Sequence, residues 1–144
     1  MLTGITDHIH DADFIRNGRI TYFENKWCIG NLVAGSRIVE WNCVNNKPAW
    51  QFTPVDFRKG LKPVFRNSDT FVSAGCGSQQ KLSNRNYLVT ESDGGTIYEI
   101  SRDKEVVWKY VHDKFDGESI CGVYWARRYT RDELLFLRGE GRRP

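Results

Sequence analysis

Three histidines, His8, His10 and His112, are the side chains of this sequence best suited to nucleophilic chemistry. A neutral imidazole nitrogen is a competent nucleophile near pH 7, and a neighbouring carboxylate can orient the ring. Asp11 and Asp13 follow His10, and strand alternation would place His8 and His10 on one face. A single histidine near the start of a strand is usually a structural polar residue, however, so position alone selects none of the three. His112 falls in a predicted loop.

Other catalytic and metal-binding patterns do not occur in the sequence. Cys28, Cys43, Cys76 and Cys121 form no C-x-x-C pair and have no zinc spacing to the histidines. We interpret them as buried thiols, with disulfides as the alternative for an exported chain. There is no glycine-rich phosphate loop, no nucleophile elbow and no carboxylate pair typical of glycosidases. The sequence therefore predicts neither a metal nor a cofactor.

The positive charge of the chain is concentrated at its C-terminal end. The 144 residues include 21 lysines and arginines against 18 acidic residues, a net charge of +3. The arginines of that end are Arg127, Arg128, Arg131, Arg138, Arg142 and Arg143. A basic tail can contact nucleic acid or acidic lipid, but we favour a solvated tail because no basic stripe interleaved with aromatics occurs elsewhere. No apolar run approaches the roughly 20 residues of a membrane span, so we expect no nucleic acid and no membrane span.

The elements that must position these residues come from a block that occurs twice. The first copy reads HDADFIRNGRITYF, then SRIVEW and AWQF, and the second reads QKLSNRNYLVT, then GTIYEI and VWKY. Repeats built from short strands are typical of β-propeller blades, which form rings. The 13 glycines and the asparagine-rich turns also favour short strands over long helices. The sequence therefore predicts an all-β fold, a partial β-propeller of about two four-stranded blades.

The repeat also predicts the organisation of the chain. Residues 1–137 form one partial propeller on this interpretation, with residues 24–35 as an irregular connector and 53–70 as a polar segment between blades. The Asn17-Gly18 pair predicts the first hairpin, because both residues accept positive φ. The remaining predicted units are blade one at about 8–52, blade two at about 71–111, a closing strand at about 123–129, and a disordered basic tail at 138–144.

Two tryptophans occupy matching places in the last strand of each copy. Trp50 is followed two residues later by Phe52, and Trp108 by Tyr110, so each pair shares a face of its strand. Blade faces bury such side chains against the next blade, and each removes about 150–250 Å² from water. The sequence therefore predicts that Trp50 and Trp108 are core residues.

Taken in order, the pieces resemble the bacterial aryl-sulfate sulfotransferases of the propeller type. Those enzymes transfer a sulfuryl group between phenols and need no nucleotide sulfate donor. The likeness covers about residues 8–130. The matching pieces are HDA-x-F at 10–14, NG-x-I at 17–20, SRIVE at 36–40, Q-x-x-L-x-N-x-NYLVTE at 79–91, IYEI at 97–100, EVVWKY at 105–110 and VY-x-A-x-RY at 123–129.

The resemblance implies a site as well as a fold. Family members are six-bladed propellers with the active site around the central channel, and this chain would supply roughly the last third. The position that matches the family's sulfuryl-accepting histidine is His10. Beside it, His8, Gln79 and Arg128 are the candidate substrate-binding residues, with Arg127 as a further cation for an anionic substrate.

The same resemblance implies partners and location. The substrates would be a phenolic sulfate donor and a phenol acceptor, used through a sulfo-histidine intermediate without a cofactor. The parent protein would be periplasmic or secreted, and the 144-residue chain alone would be inactive. Its open, apolar blade faces would contact the missing blades or a second copy. The alternative function is a propeller that binds or organises partners without chemistry, because propellers have many functions.

Overall fold

Two antiparallel sheets organise the part of the chain that the computed structural model describes, residues 8–29, 32–60, 71–73, 75–112 and 122–134. The first sheet has the order β1-β2-β3-β4 and the second β5-β6-β7-β8. The elements are β1 (Ile9–Ile15), β2 (Arg19–Ile29), β3 (Leu32–Asn42), β4 (Lys47–Phe52), α1 (Pro54–Gly60), β5 (Ser78–Lys81), β6 (Tyr87–Glu91), β7 (Thr96–Ile100) and β8 (Val106–Val111). The prediction of a mostly β fold with two four-stranded sheets is confirmed.

Residues with positive φ form the turns between strands. Asn17 and Gly18 have φ of 66° and 65° in the first hairpin, in line with the sequence pattern. In the corresponding turn of the second sheet, Arg85 has the positive φ, 72°, rather than a neighbouring asparagine. The Oδ1 of Asn84 instead accepts a hydrogen bond of 3.0 Å from the N–H of Asn86. The asparagines thus close this turn through a side chain rather than through their own backbone conformation.

The connector predicted at 24–35 belongs largely to strands. β2 continues to Ile29 and β3 begins at Leu32, with register shifts at Glu24/Trp27 and Trp27/Cys28. Register shifts interrupt the period of two by which a strand is recognised in a sequence.

The segment predicted as polar at 53–70 begins with helix α1. Thr53 donates its N–H and its hydroxyl to the carboxylate of Asp56, at 3.0 and 2.8 Å. Asp56 in turn donates its N–H to the Thr53 hydroxyl at 3.3 Å, which completes a cap at the start of the helix.

The closing strand predicted at about 123–129 is not a strand in the structure. Residues 122–130 have no regular secondary structure. The N–H and the carbonyl of Arg128 bond to the side-chain amide of Gln80 on β5, at 2.7 and 2.9 Å. This segment therefore lies beside the edge of the second sheet without a backbone ladder. The tail predicted at 138–144 lies outside the described residues.

The main core lies between the two sheets. Trp50 of β4 stacks on Tyr87 of β6 with ring centroids 4.6 Å apart. Rings of Phe52, Phe57 and Phe71 meet edge to face or stacked beside this pair. The buried cluster comprises Phe23, Ile38, Phe52, Phe57, Phe71, Tyr87, Val89, Tyr98, Ile100 and Val106. Burial of these aromatic and aliphatic groups makes the main contribution to the free energy that holds the two sheets together.

The core prediction for Trp108 is wrong. Trp108 is 41% exposed and Tyr110 44%, and the two rings stack on each other 6.5 Å apart. Trp50, at the matching place of the first sheet, is partly buried because the second sheet packs against it. Among the described residues, no further sheet packs on β8 in the same way, so its aromatic face is open.

A close contact at Gly77 allows a test of how the two sheets meet. Gly77 has φ of 146°, and a Cβ there would lie 2.4 Å from the ring of buried Phe23. We expect Gly77→Ala to lower the free energy of unfolding by about 3 kcal/mol, because the ring has no space to move and the backbone conformation is strained. Gly75→Ala is the matched control, since a Cβ there meets nothing within 4 Å. Equal urea midpoints for the two variants would contradict the described packing.

Candidate functional site

His10 lies on β1, the edge strand of the first sheet, paired with Phe23 of β2. A β-bulge follows: His10 pairs with Phe23, but the next pair is Asp13 with Thr21, and Asp11 has φ of 49°. A bulge interrupts the alternation of side chains. As a result the consecutive residues His10 and Asp11 line the same cavity, which regular alternation would not allow.

The cavity beside His10 is formed where the two sheets meet. Its volume is about 370 Å³. One wall is β1, a second is the approach to and start of β5, and the third comes from the C-terminal segment, which contributes two aromatic rings. The lining residues are His10, Asp11, Cys76, Gly77, Ser78, Tyr124 and Trp125. A cavity with an aromatic wall and a few polar groups is the usual form of a small-molecule site.

Arg127 provides the guanidinium at this end of the junction. Its Nη2 lies 3.3 Å from Oδ2 of Asp13 and 3.6 Å from Oδ1 of Asp11. The same guanidinium lies over the ring of Trp125, 4.9 Å from the centroid. These contacts hold the C-terminal segment against β1, and they contradict the interpretation of Arg127 as part of a solvated tail.

Asp11 serves mainly as a structural carboxylate. Its Oδ2 accepts a hydrogen bond of 2.8 Å from the N–H of Gln79, and its carbonyl accepts one of 3.0 Å from Nε2 of Gln79. Together with the ion pair to Arg127, these bonds fix the wall of the cavity next to His10.

Gln79, a predicted substrate-binding residue, is in fact a link between sheets. Its side chain is 1% exposed. Besides its bonds to Asp11, its Oε1 accepts a hydrogen bond of 3.3 Å from the hydroxyl of Thr21 on β2. Gln79 lies on β5, the first strand of the second sheet, and its side chain bonds to the first sheet rather than lining the cavity.

Arg128 also lies elsewhere than at the cavity. Its Nη1 donates to the carboxylate of Glu99, and its guanidinium lies 5.5 Å from the centroid of the Trp108 ring. Arg128 does not line the cavity beside His10 and fixes the C-terminal segment to the second sheet. Its neighbour Arg127 pairs instead with Asp11, which lines the cavity.

His8 does not share the environment of His10. It is exposed, has φ of 54°, and its carbonyl accepts a hydrogen bond of 3.1 Å from the N–H of Asn25. The prediction of a common face assumed extended backbone from His8 to His10, and the positive φ breaks that assumption. The structure thus brings His10 and Asp11 together at the cavity, and it separates His8, Gln79 and Arg128 from it.

Two of the buried glutamates, Glu40 and Glu99, were not identified as charged centres from the sequence. Glu40 of β3 accepts hydrogen bonds from Arg19, Lys81, Arg102 and Tyr87 at 2.5 to 2.7 Å. In the second sheet the corresponding Glu99 accepts from Arg128 and from the side chains of Asn84 and Asn86. Both glutamates occupy matching positions of the repeated block, and this match was the sequence signal that could have identified them.

The burial of these two carboxyls is offset by their partners. Burial by itself would raise the pKa of Glu99, but hydrogen bonds from Arg128 and Asn86 outweigh it and hold that pKa below its usual value. Glu40 behaves in the same way, and its pKa is lowered from 4.5 to about 2. Both glutamates are therefore charged at neutral pH and bind the cations that contact them.

Two of the four cysteines have described side chains. Cys43 is exposed and Cys76 partly buried, and both thiols are free. The expectation of buried thiols thus fails at Cys43, which lies in the turn between β3 and β4, whereas Cys28 and Cys121 lie outside the described side chains. In the described ranges, histidine, cysteine and acidic residues form no group suited to a metal ion. No helix among them is long and apolar enough to cross a membrane.

Comparison with known proteins gives no match. No family model matches the sequence, no curated protein matches it, and no solved structure matches the fold. Support for a function therefore comes from the residues of this chain and their geometry.

Proposed function

We propose that this chain forms adjacent blades of a β-propeller, and that its His10 accepts a sulfuryl group from a phenolic sulfate and passes it to a phenol. The main observation behind the proposal is that His10, on an edge strand, lines the same cavity as two aromatic residues, Tyr124 and Trp125. An imidazole in such a cavity suits attack on a sulfate ester whose phenol ring stacks on an aromatic side chain. The residue pattern that resembles the sulfotransferase family is the second support.

Two features support the propeller arrangement. Each sheet is a four-stranded meander, and the first strands, β1 and β5, lie next to each other through the Asp11 and Gln79 bonds. In a propeller the blades are such four-stranded sheets arranged around a central channel. Glu40 and Glu99 also support a repeated unit, because each carboxylate pairs with at least one cation that follows its own sheet in sequence, Lys81 and Arg102 for Glu40 and Arg128 for Glu99.

The proposed reaction proceeds in two balanced steps. A ring nitrogen of His10 attacks sulfur and forms an N–S bond, while the S–O bond to the aryl group breaks and the electron pair leaves on the phenolate. A phenol oxygen then attacks sulfur and loses its proton to solvent. The N–S bond breaks and its electron pair returns to the imidazole. Neither step needs a cofactor.

Charge on the transferring group calls for nearby donors. Arg127 is the cation closest to this role, because its Asp11 partner lines the cavity and its guanidinium stacks on Trp125. Ser78 also lines the cavity, and its buried hydroxyl oxygen has no hydrogen-bond partner among the described residues.

A non-catalytic propeller that binds an aromatic ligand is the second candidate. The observation in its favour is that Gln79 and Arg128 serve the architecture rather than the cavity. Such a module would bind a phenolic sulfate in the same cavity without turning it over.

A substitution of His10 separates these two functions. We expect His10→Gln to reduce release of 4-nitrophenol from 4-nitrophenyl sulfate, with phenol as acceptor, by about 1,000-fold or more, because the variant lacks the imidazole that accepts the sulfuryl group. The assay uses the longest in-frame protein that contains this sequence. His112→Gln is the control, because His112 lies at the end of β8 away from the cavity and should leave the rate unchanged. Equal turnover by the His10 variant would overturn the assignment, and binding without turnover by the unsubstituted protein would favour the second candidate.

A further inference from the structure

The junction between the sheets has a second opening, at the other end of β1. The turn between β1 and β2 and the turn between β5 and β6 border a groove of about 630 Å³. We call it the basic groove, because Arg16 and Arg19 line it from one turn and Lys81 and Arg85 from the other. His10 lies near the start of β1 and the basic groove near its end, so the two openings are separate.

The lining of the basic groove contains more cationic than acidic side chains. Glu40 is the acidic residue among its lining residues, and it is fully buried. Its carboxylate accepts from Arg19 at 2.6 Å, from Lys81 at 2.7 Å and from Arg102 at 2.7 Å. Among the lining residues one buried carboxylate thus faces two cations, and Arg102 contacts the same carboxylate from outside the lining, which leaves this part of the groove with a net positive charge.

Two arginines at the rim add to this excess. The guanidinium groups of Arg16 and Arg85 are exposed, and neither makes a hydrogen bond or an ion pair within the described part of the chain. They extend from opposite turns, so the groove lies between them. Arg19 adds a buried Nε–H that has no acceptor among the described residues. Unmet guanidinium donors around a concave surface favour an oxyanion, which guanidinium binds in a two-point geometry.

An apolar surface borders the same groove. Phe14 lines it and is 93% exposed, and Leu82 lines it from the facing turn. A fully exposed phenylalanine next to clustered cations suits a ligand that joins an anionic group to an aromatic or aliphatic group.

We propose that the basic groove binds a tetrahedral oxyanion ester, a phosphate or sulfate group with an apolar substituent. The oxyanion lies between Arg16 and Arg85 above Lys81, and the substituent contacts Phe14. A phosphate or sulfate group is favoured over a carboxylate because its three free oxygens can accept from both turns at once. This binding is independent of the reaction at His10 and goes beyond it.

Calorimetric titration of the full chain tests the proposal with phenyl phosphate and with inorganic phosphate as probes. We expect saturable binding of phenyl phosphate that Arg16→Glu and Arg85→Glu each weaken about tenfold, because each replaces an attraction with a repulsion. Arg131→Glu is the matched control: this exposed arginine does not line the groove, and its variant should bind as the unsubstituted chain does.

Comparison of phenyl phosphate with inorganic phosphate distinguishes an ester ligand from a free oxyanion. If the ligand is an ester, phenyl phosphate binds more tightly than inorganic phosphate, and Phe14→Ala removes the difference. Equal binding of the two probes would overturn the ester and leave a free oxyanion as the ligand. Absence of saturable binding, or equal binding by the Arg16 and Arg131 variants, would overturn the site itself. Circular dichroism of each variant verifies that it is folded.

Discussion

Glu40→Gln is expected to lower the free energy of unfolding by about 3 kcal/mol. The carboxylate is fully buried and accepts four hydrogen bonds, three of them from cations. Without the negative charge, those cations repel one another and the hydroxyl of Tyr87 loses its charged acceptor. Urea denaturation measures the loss. The control is Glu105→Gln, an exposed position in the turn before β8, which should change stability by less than about 0.5 kcal/mol.

The pH dependence of stability provides an independent measurement of the same carboxylate. Because the pKa of Glu40 is lowered from 4.5 to about 2 in the folded chain, its contribution is fully present above about pH 4.5 and is lost as the pH falls towards 2. The shift corresponds to about 3 kcal/mol. We therefore expect the unsubstituted chain to lose stability more steeply than Glu40→Gln over this range. Parallel curves for the two proteins would contradict the ion-pair cluster.

Trp50→Ala is expected to cost about 3 kcal/mol, whereas Trp108→Ala costs less than about 1 kcal/mol. Trp50 stacks on Tyr87, its Nε1 donates to the carbonyl of Arg102 at 3.0 Å, and the Arg102 guanidinium lies 5.1 Å from its ring centroid. Trp108 is 41% exposed, with contacts to Arg128 and Tyr110.

The two tryptophan variants are controls for each other, because they remove the same side chain from matching places of a repeat. Denaturant midpoints at several protein concentrations provide the comparison. Equal costs at every concentration would mean that Trp108 is packed as deeply as Trp50 and would contradict the open face on β8. A cost at Trp108 that grows with concentration would identify a second copy on that face.

The repeat made most of the fold predictable. The Asn17-Gly18 turn and the alternating strands of both copies led to the two four-stranded sheets that the structure contains. The errors fall where the period of two gives no reliable signal. The segment at 123–129, predicted as a strand, is held through the side-chain amide of Gln80 rather than by a backbone ladder. In β2 the register shifts interrupt the alternation, so the sequence did not show that the strand continues.

The site was predictable only in part. The repeat and the resemblance select His10 and Gln79 as candidate site residues, but the surroundings of each side chain depend on the bulge in β1. With Asp11 at a positive φ, its carboxylate reaches Gln79, and His10 and Asp11 share a cavity. Which of two adjacent arginines pairs with Asp11 depends on the path of the C-terminal segment, and no spacing in the sequence encodes it. The charge balance around Glu40 likewise depends on residues far apart in the chain.

Detection of a sulfuryl group on His10 would test the proposed reaction most directly. The longest in-frame protein that contains this sequence is mixed with 4-nitrophenyl sulfate without an acceptor, quenched at alkaline pH and analysed by peptide mass spectrometry. We expect a mass increase of one sulfuryl group on the peptide that contains His10, absent in His10→Gln and lost when phenol is added before the quench. Turnover of the ester with the sulfuryl group on another residue, or with His10 unmodified, would contradict the proposed reaction.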